Sequence, residues 1–410
     1  MAAAGREFFT VKTVAEALTE FRPAHRSGVE TVTLDRARGR IPAEQIHARE
    51  ALPGFDRSSV DGYAVRARDT FGASEAIPAY LRVTGAVRMG AGADDGVQPE
   101  SAIAIPTGGM VPAGADAVVM IEHTQEAMPG TIEVVRPVAP GEGIVRGDED
   151  LVPGAAMVHP GRPLRAQDVA LLAAAGVTRL RVHAAPRVAI IATGDEVVAP
   201  ETSELAAGQV RDALSLSIGA LVAEAGGEPG SPLIIPDDGE ALLTALSRSV
   251  GDSDMIVVCA GSSVGARDET AGAIAALPGS ETWCHGLAIK PGKPTLLAHS
   301  DGIPIVGLPG NPRSALVVFR LIGMPLVRLA GGWTEQVPAG TVRARLTRDL
   351  PSAAGRLDVV QVRLRDAQAE PLFGPSALLS VLTAADGYLI VDEDATGLAA
   401  GAEVEVFPYV

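Results

Sequence analysis

A chain of 410 residues exceeds one ordinary hydrophobic core and implies roughly two to four domains. Its formal net charge of -16 excludes nonspecific binding to nucleic acid or to an anionic membrane, so any anionic ligand must be held by local donors. Cys259 and Cys284 are the only cysteines, which excludes a disulfide framework or a cysteine-built zinc site and fits a reducing compartment.

The N-terminal stretch MAAAGREFFTVKTVAEALTEF carries charges where a signal peptide needs an unbroken apolar core, and a cytoplasmic location is expected. Within it VKTVAEALTEF has helical apolar spacing, as has AQDVALLAAAG at 166–176. Between these helices the text from 52 to 147 is rich in Gly, Pro and β-branched residues with short alternating runs (YLRVTGAV, SAIAIP, DAVVMIEH, TIEVVRPV). It reads as a β-rich insertion, flanked by one discontinuous helical and linker domain, 1–51 with 148–185.

From Pro186 the pattern changes. RVAIIATGDEV is a buried strand, SLSIGALVAEAGG a helix, SPLIIP a strand, EALLTALSRSV a helix and MIVVCAGSSVG another strand running into a glycine turn. Strands alternating with helices predict an α/β domain over 186–332, its parallel sheet covered on both faces and ligands bound at the carboxyl ends of the strands. ALVVFRLIGMPLVRLAG is interrupted by Arg320, Pro325 and Arg328, which makes it a buried helix rather than a membrane span. TVRARLTRDL, LDVVQVRLR and AEVEVFPYV alternate again, and a small C-terminal β domain is expected over 333–410.

The polar loops concentrate at predicted strand ends. Gly194, Asp195 and Glu196 close the first strand of the α/β domain, and Asp237 and Asp238 close the next. Either acidic pair could serve only as a helix cap. Together with Asp268 after the AGSSVGARD turn they converge if the sheet is parallel, and clustered carboxylates repel unless a cation compensates. Gly261, Ser262, Ser263 and Gly265 form a turn whose amides and hydroxyls suit an anion, which makes a Mg²⁺–phosphate site the better reading of the set. Lys290 and Lys293 in KPGKP flank a turn-like Pro-Gly pair that can present both ammonium groups on one side. The adjoining GLPGNPRSA loop carries Pro309, Gly310, Asn311, Pro312 and Ser314 to the mouth of an apolar helix, where unpaired amides favour an anion. The insertion holds its own polar loop, PGFDRSSVDGYAVRA, with Asp61, and further loops at Thr107 and at RGDED with Asp150. The seven histidines show no HxH or HExxH spacing, which disfavours zinc hydrolase chemistry.

Taken in order, FDRSSVDGYAVRA, PAGADAVVM, RGDED, ATGDEVV, PDD, SVGARD, KPGKP, GLPGNPRSA and AGRLDVVQ resemble the MoeA family of molybdopterin molybdenumtransferases, related to the E domain of gephyrin. The resemblance spans nearly the whole chain. It implies a molybdopterin-binding α/β domain beside the helical, β-rich and C-terminal β domains, in an elongated homodimer. The implied activity is insertion of molybdate into adenylylated molybdopterin with release of AMP and Mg²⁺ present, the last step of molybdenum cofactor synthesis. The implied site lies between the α/β domain of one subunit and the insertion of the other. By motif position the functional acids fall on Asp61 and Asp150, with Thr107 beside them, and on Glu196, Asp237 and Asp268, the last three as metal ligands. Lys290, Lys293, Pro309 and Pro312 match the basic rim. The adenylyltransferase that makes the substrate is an expected partner.

Two departures from the family pattern stand out. The usual Gly-Gly-Val-Ser-Val-Gly turn reads Ala260, Gly261, Ser262, Ser263, Val264, Gly265, followed by Ala266, and Gly286 stands where a basic residue is common. They leave tungstate open as the oxyanion and lead to the expectation that Gly286→Lys raises molybdate affinity. A gephyrin-like scaffold that holds a partner peptide is the competing class of function, and the set of matched acids favours the enzyme.

Overall fold

The computed structural model describes residues 10–93, 95–260, 264–335 and 340–409, with side chains for all of these except 264–268. The chain forms two compact units, one of residues 1–44, 160–164 and 180–410 and the other of 45–159 and 165–179.

The first unit is built on a seven-stranded sheet. Arg187–Thr193, Met255–Cys259 and Ile303–Leu308 run parallel side by side, and Glu228–Pro229 and Leu233–Ile235 add parallel pairing on the outer edge of the first. Strand periodicity sends alternate residues to opposite faces. Val188, Ile190, Met255 and Val257 face a core closed by Ile218 and Val222 of the helix Leu214–Glu224, while Ile191, Ile256 and Val258 face Leu242 and Leu246 of Gly239–Asp252 and Ile274 of Val264–Ala275. Both faces are therefore covered, and the strands read as continuous apolar runs.

The expected all-parallel sheet needs one refinement, because Leu296–Ser300 runs antiparallel to both its neighbours, Ile303–Leu308 and the edge strand Ser280–His285. The cause is a two-residue turn at Asp301 and Gly302, both at positive φ, which folds the chain back between Ser300 and Ile303 as a hairpin. The expected buried helix near the end of this domain is continuous but not uniform. Pro312–Val318 runs through a wider π-helical segment, Phe319–Gly323, into Met324–Ala330.

The N-terminal helix Val14–Glu20 starts in a capping box: the Glu16 amide donates to Thr13 Oγ1 at 3.1 Å and the Thr13 amide to Glu16 Oε2 at 2.7 Å. Its Val14 and Ala17, with Phe21, pack into the α/β core. The C-terminal strands Leu357–Arg365, Gln368–Pro371, Val342–Leu346, Glu403–Pro408 and Gly387–Val391 close into a ring, since the first also pairs with the last. That barrel is filled by Val362, Leu389, Val391 and Val406.

The second unit carries a six-stranded sheet in the order Ala117–Met120, Gly62–Val65, Ser101–Ile105, Ala79–Ala86, Thr131–Val134, Thr124–Met128. Val65, Leu81 and Ile132 pack on one face, and Ala64, Ile103 and Val118 on the other. The helix Ala166–Ala174 belongs to this unit and packs near the strand Ala156–Val158. Among the described residues no helix is long and apolar enough to cross a membrane.

Candidate functional site

The parallel strands of the α/β domain deliver their acidic loops to one end of the sheet. Gly194, Asp195 and Glu196 follow Arg187–Thr193 directly, and Asp237 follows the adjacent strand Leu233–Ile235. The two loops are tied together, since the Asp237 amide donates to Asp195 Oδ1 at 3.2 Å. Burial, then the neighbouring charges of Glu196 and Asp195, raise the pKa of the Asp237 carboxyl above the ordinary value. Asp238 is instead a helix cap, its Oδ1 accepting the Ala241 amide at 2.7 Å. Sequence proximity alone does not separate the two aspartates.

Asp268 and Gly265 fall in the helix Val264–Ala275, with side chains outside the described residues, and Gly261, Ser262 and Ser263 lie wholly outside them. Among the described residues no group of three or more His, Cys, Asp or Glu is arranged to hold a metal ion. The Asp195–Glu196–Asp237 cluster nonetheless suits a cation in charge, because burial of Asp237 and, after it, the charges of Glu196 and Asp195 disfavour its ionised form.

Glu196 opens into a cavity of about 430 Å³ that also takes in Arg211, Gly310, Asn311 and Pro312. Asn311 borders a second cleft as well, of about 580 Å³, where Lys290, Lys293, Pro309 and Ser314 meet. The sequence expectation that both lysines share one side is met there. Gly292 makes the turn, with φ +125 and a Cβ position that would fall 2.3 Å from Val318 Cγ2, so only glycine fits.

Ile289–Lys290 also joins the C-terminal barrel as a short strand, pairing parallel with Leu357–Arg365 so that Lys290 stands across from Asp358. Asp358 is buried to 3% side-chain exposure and gathers three donors: Lys290 Nζ at 3.4 Å, Arg356 Nε at 3.1 Å and Ser352 Oγ at 2.9 Å. Arg356, Ser376 and Arg313 complete the cleft wall. None of these was singled out from the sequence. Arg313 sits inside the GLPGNPRSA loop and Arg356 inside AGRLDVVQ, where the signal was a cation in a motif already noted for its glycines and prolines.

In the second unit the Thr107 amide donates to Asp61 Oδ1 at 2.8 Å, so those two expected residues do meet. Asp56 Oδ1 accepts the Gly147 amide at 2.7 Å, which ties the loop before Asp61 to the loop of Asp150. Asp150 itself is exposed and its amide donates to the Leu52 carbonyl at 2.9 Å.

Three family models match in succession: the MoeA N-terminal region (domain I and II) over 11–176, a probable molybdopterin binding domain over 189–329, and the MoeA C-terminal region (domain IV) over 343–409. Molybdopterin molybdenumtransferase 2 of Mycobacterium tuberculosis is 34% identical over 409 residues, 97% of each chain. The chain belongs to the MoeA family. Molybdopterin molybdenumtransferase of Bacillus subtilis is 31% identical over 92% of this chain and 89% of its own length. Two crystal structures of the MoeA protein of Pyrococcus horikoshii superpose with TM-scores of 0.81 and 0.84, at 35% and 32% identity. Each covers 97% of this chain, and 99% and 100% of the MoeA chain respectively.

Proposed function

We propose that this MoeA-family chain is a molybdopterin molybdenumtransferase that inserts molybdate into adenylylated molybdopterin and releases AMP. The observation that carries the reading is the pairing of an acidic strand-end cluster with a strongly cationic cleft, bordered in common by Asn311. In a chain of net charge -16, such a cleft has a specific anion to hold. The matches to MoeA along the whole chain support the same substrates.

In this proposal Lys290, Lys293 and Arg356 neutralise the phosphate or molybdate charge, and Ser314 supplies a hydroxyl donor from the helix that borders the cleft. Gly310 and Pro312 shape the adjoining cavity around the rest of the substrate, and Gly194 and Asp195 contribute from the loop that carries Glu196 to its wall. Mg²⁺ would be held by Glu196 and Asp237, with Asp268 as third ligand, and when bound it would neutralise charge on the pyrophosphate linkage. Asp61, Thr107 and Asp150 act in the same reaction from the β-rich unit. The four-domain division, a cytoplasmic location, a homodimer and an adenylyltransferase that hands over the substrate belong to the same proposal. Light scattering tests the dimer.

The deciding experiment is incubation with adenylylated molybdopterin, Mg²⁺ and molybdate, with AMP and finished cofactor followed by chromatography. Wild type releases both, and Glu196→Ala, Asp268→Ala and Asp61→Ala each fall by at least about a hundredfold with unchanged circular dichroism. Full turnover in all three variants would refute the assignment of the acids. No turnover in wild type would refute the activity.

A further inference from the structure

The cationic cleft is unevenly compensated. Lys290 and Arg356 share the carboxylate of Asp358. Arg313 shares nothing: among the described residues no carboxylate pairs with it, and its buried Nε has no hydrogen-bond partner. Its backbone amide is fixed, donating to the Ser376 carbonyl at 3.1 Å, so the side chain springs from a rigid point at the start of the helix Pro312–Val318. The side chain lines the 580 Å³ cleft and also a smaller chamber of about 240 Å³ behind it, which Lys290 and Asp358 line too.

Burial lowers the pKa of Arg313 from its ordinary value, and among the described residues the titratable group acting on it is the Tyr409 phenol, itself pushed up to about 12 by burial. A neutral phenol does not balance a guanidinium. A partly buried charge with no counter-ion is costly and is retained where a ligand supplies the missing charge. With Lys293 also free of a carboxylate partner among the described residues, four cations meet one carboxylate, an excess of three positive charges around a space with ample room for a polyvalent oxyanion.

We infer that Arg313 is a direct contact of the bound oxyanion and sets how tightly this cleft takes it. The inference rests on the reading of the cleft given above. Its guanidinium offers planar, bidentate donation to a tetrahedral dianion, which an ammonium cannot match. The shared chemistry is a tetrahedral oxyanion carrying two negative charges in all, supplied either by molybdate or by the pyrophosphate linkage of the nucleotide-linked substrate.

The test is calorimetric titration of the full chain with sodium molybdate in one arm and inorganic pyrophosphate in the other, each at three salt concentrations. Arg313→Gln is expected to weaken the arm that uses Arg313 by about tenfold and to flatten its salt dependence. Arg313→Lys recovers part of the affinity, and the urea midpoint of neither variant falls below the wild-type value, because no side-chain partner is lost and Arg313→Gln removes a buried, uncompensated charge. The arm that weakens identifies the anion. If Lys290→Ala weakens binding while Arg313→Gln leaves affinity and salt slope unchanged in both arms, the Arg313 contact is wrong and the cleft reading stands. If wild type binds neither anion, both are overturned.

Discussion

Lys290 stands across a parallel ladder from Asp358, and its ammonium lies 3.4 Å from a carboxylate that is itself buried to 3%. The charge of the cleft is thus anchored in the C-terminal barrel, outside the α/β sheet whose loop carries Asn311 and Ser314 to the same cleft. Asp358→Asn removes the negative charge that Lys290 and Arg356 share and leaves one acceptor oxygen for three donors. With Lys290 and Arg356 still 55% and 40% exposed, the discounted cost is about 1–2 kcal/mol, read as a lower urea midpoint at unchanged slope. Lys290→Ala leaves Asp358 bonded to Arg356 and Ser352, so its stability cost stays below about 1 kcal/mol while anion affinity falls.

Asp237 gives a pH signature. Its folded-state pKa is raised, so its favourable contribution is complete below the unfolded-state value and is lost as pH rises through the folded one. At neutral pH the ionised group is a net liability that a cation relieves. Asp237→Asn is therefore expected to melt higher than wild type at pH 7 without metal, to converge with it near pH 3, and to lose any Mg²⁺-dependent rise in melting temperature. A wild type less stable than the variant at pH 3 as well would contradict this origin.

Gly292→Ala combines a positive φ with a side-chain collision against Val318. It is expected to cost about 1–3 kcal/mol and to weaken anion binding together with it, because the turn orients both lysines. Urea unfolding and the molybdate titration measure the two effects.

The backbone at Gly286 argues against the expectation that a lysine there adds a basic contact: Gly286 has φ +129 and its Cβ position lies 3.3 Å from Val11 Cγ2. Its amide also donates to the Thr295 carbonyl at 2.8 Å and its carbonyl accepts from Lys12. Gly286→Lys should thus destabilise by about 1–3 kcal/mol and fail to raise molybdate affinity, as differential scanning calorimetry and titration would show.

Helices and strands were legible because their apolar periods differ, and the strand-end loops because glycine, proline and acids cluster where a parallel sheet opens. The antiparallel edge was less visible, since Leu296–Ser300 and Ile303–Leu308 are apolar runs that suit either direction and only Asp301–Gly302 marks the reversal. Asp358 and Arg356 were invisible as site residues for a different reason. An arginine and an aspartate two residues apart at the start of a strand look like a solvated face, and the neighbour of Asp358, Lys290, is 68 positions away in sequence. Asp237 and Asp238 could not be told apart until a cap hydrogen bond claimed one of them.

The π-helical segment Phe319–Gly323 sets the angular phase between the two halves of the helix that begins at the cleft. Pro325 has no amide to give to the carbonyl four residues back, and the wide turn just before it takes up that fault. Gly323 lets the fully buried Phe319 ring lie against the backbone, with a would-be Cβ only 2.2 Å from it. A regular helix advances about 100° per residue. Deleting one residue within the wide turn would let the helix close up as a regular one, at the cost of turning Ala315, Val317 and Val318 of its first half out of the core they share with Met324, Leu326 and Val327 of the second. Arg313 would then be rotated away from the anion by roughly that angle, so the bore of a helix deep in the protein fixes which way its outermost cation points.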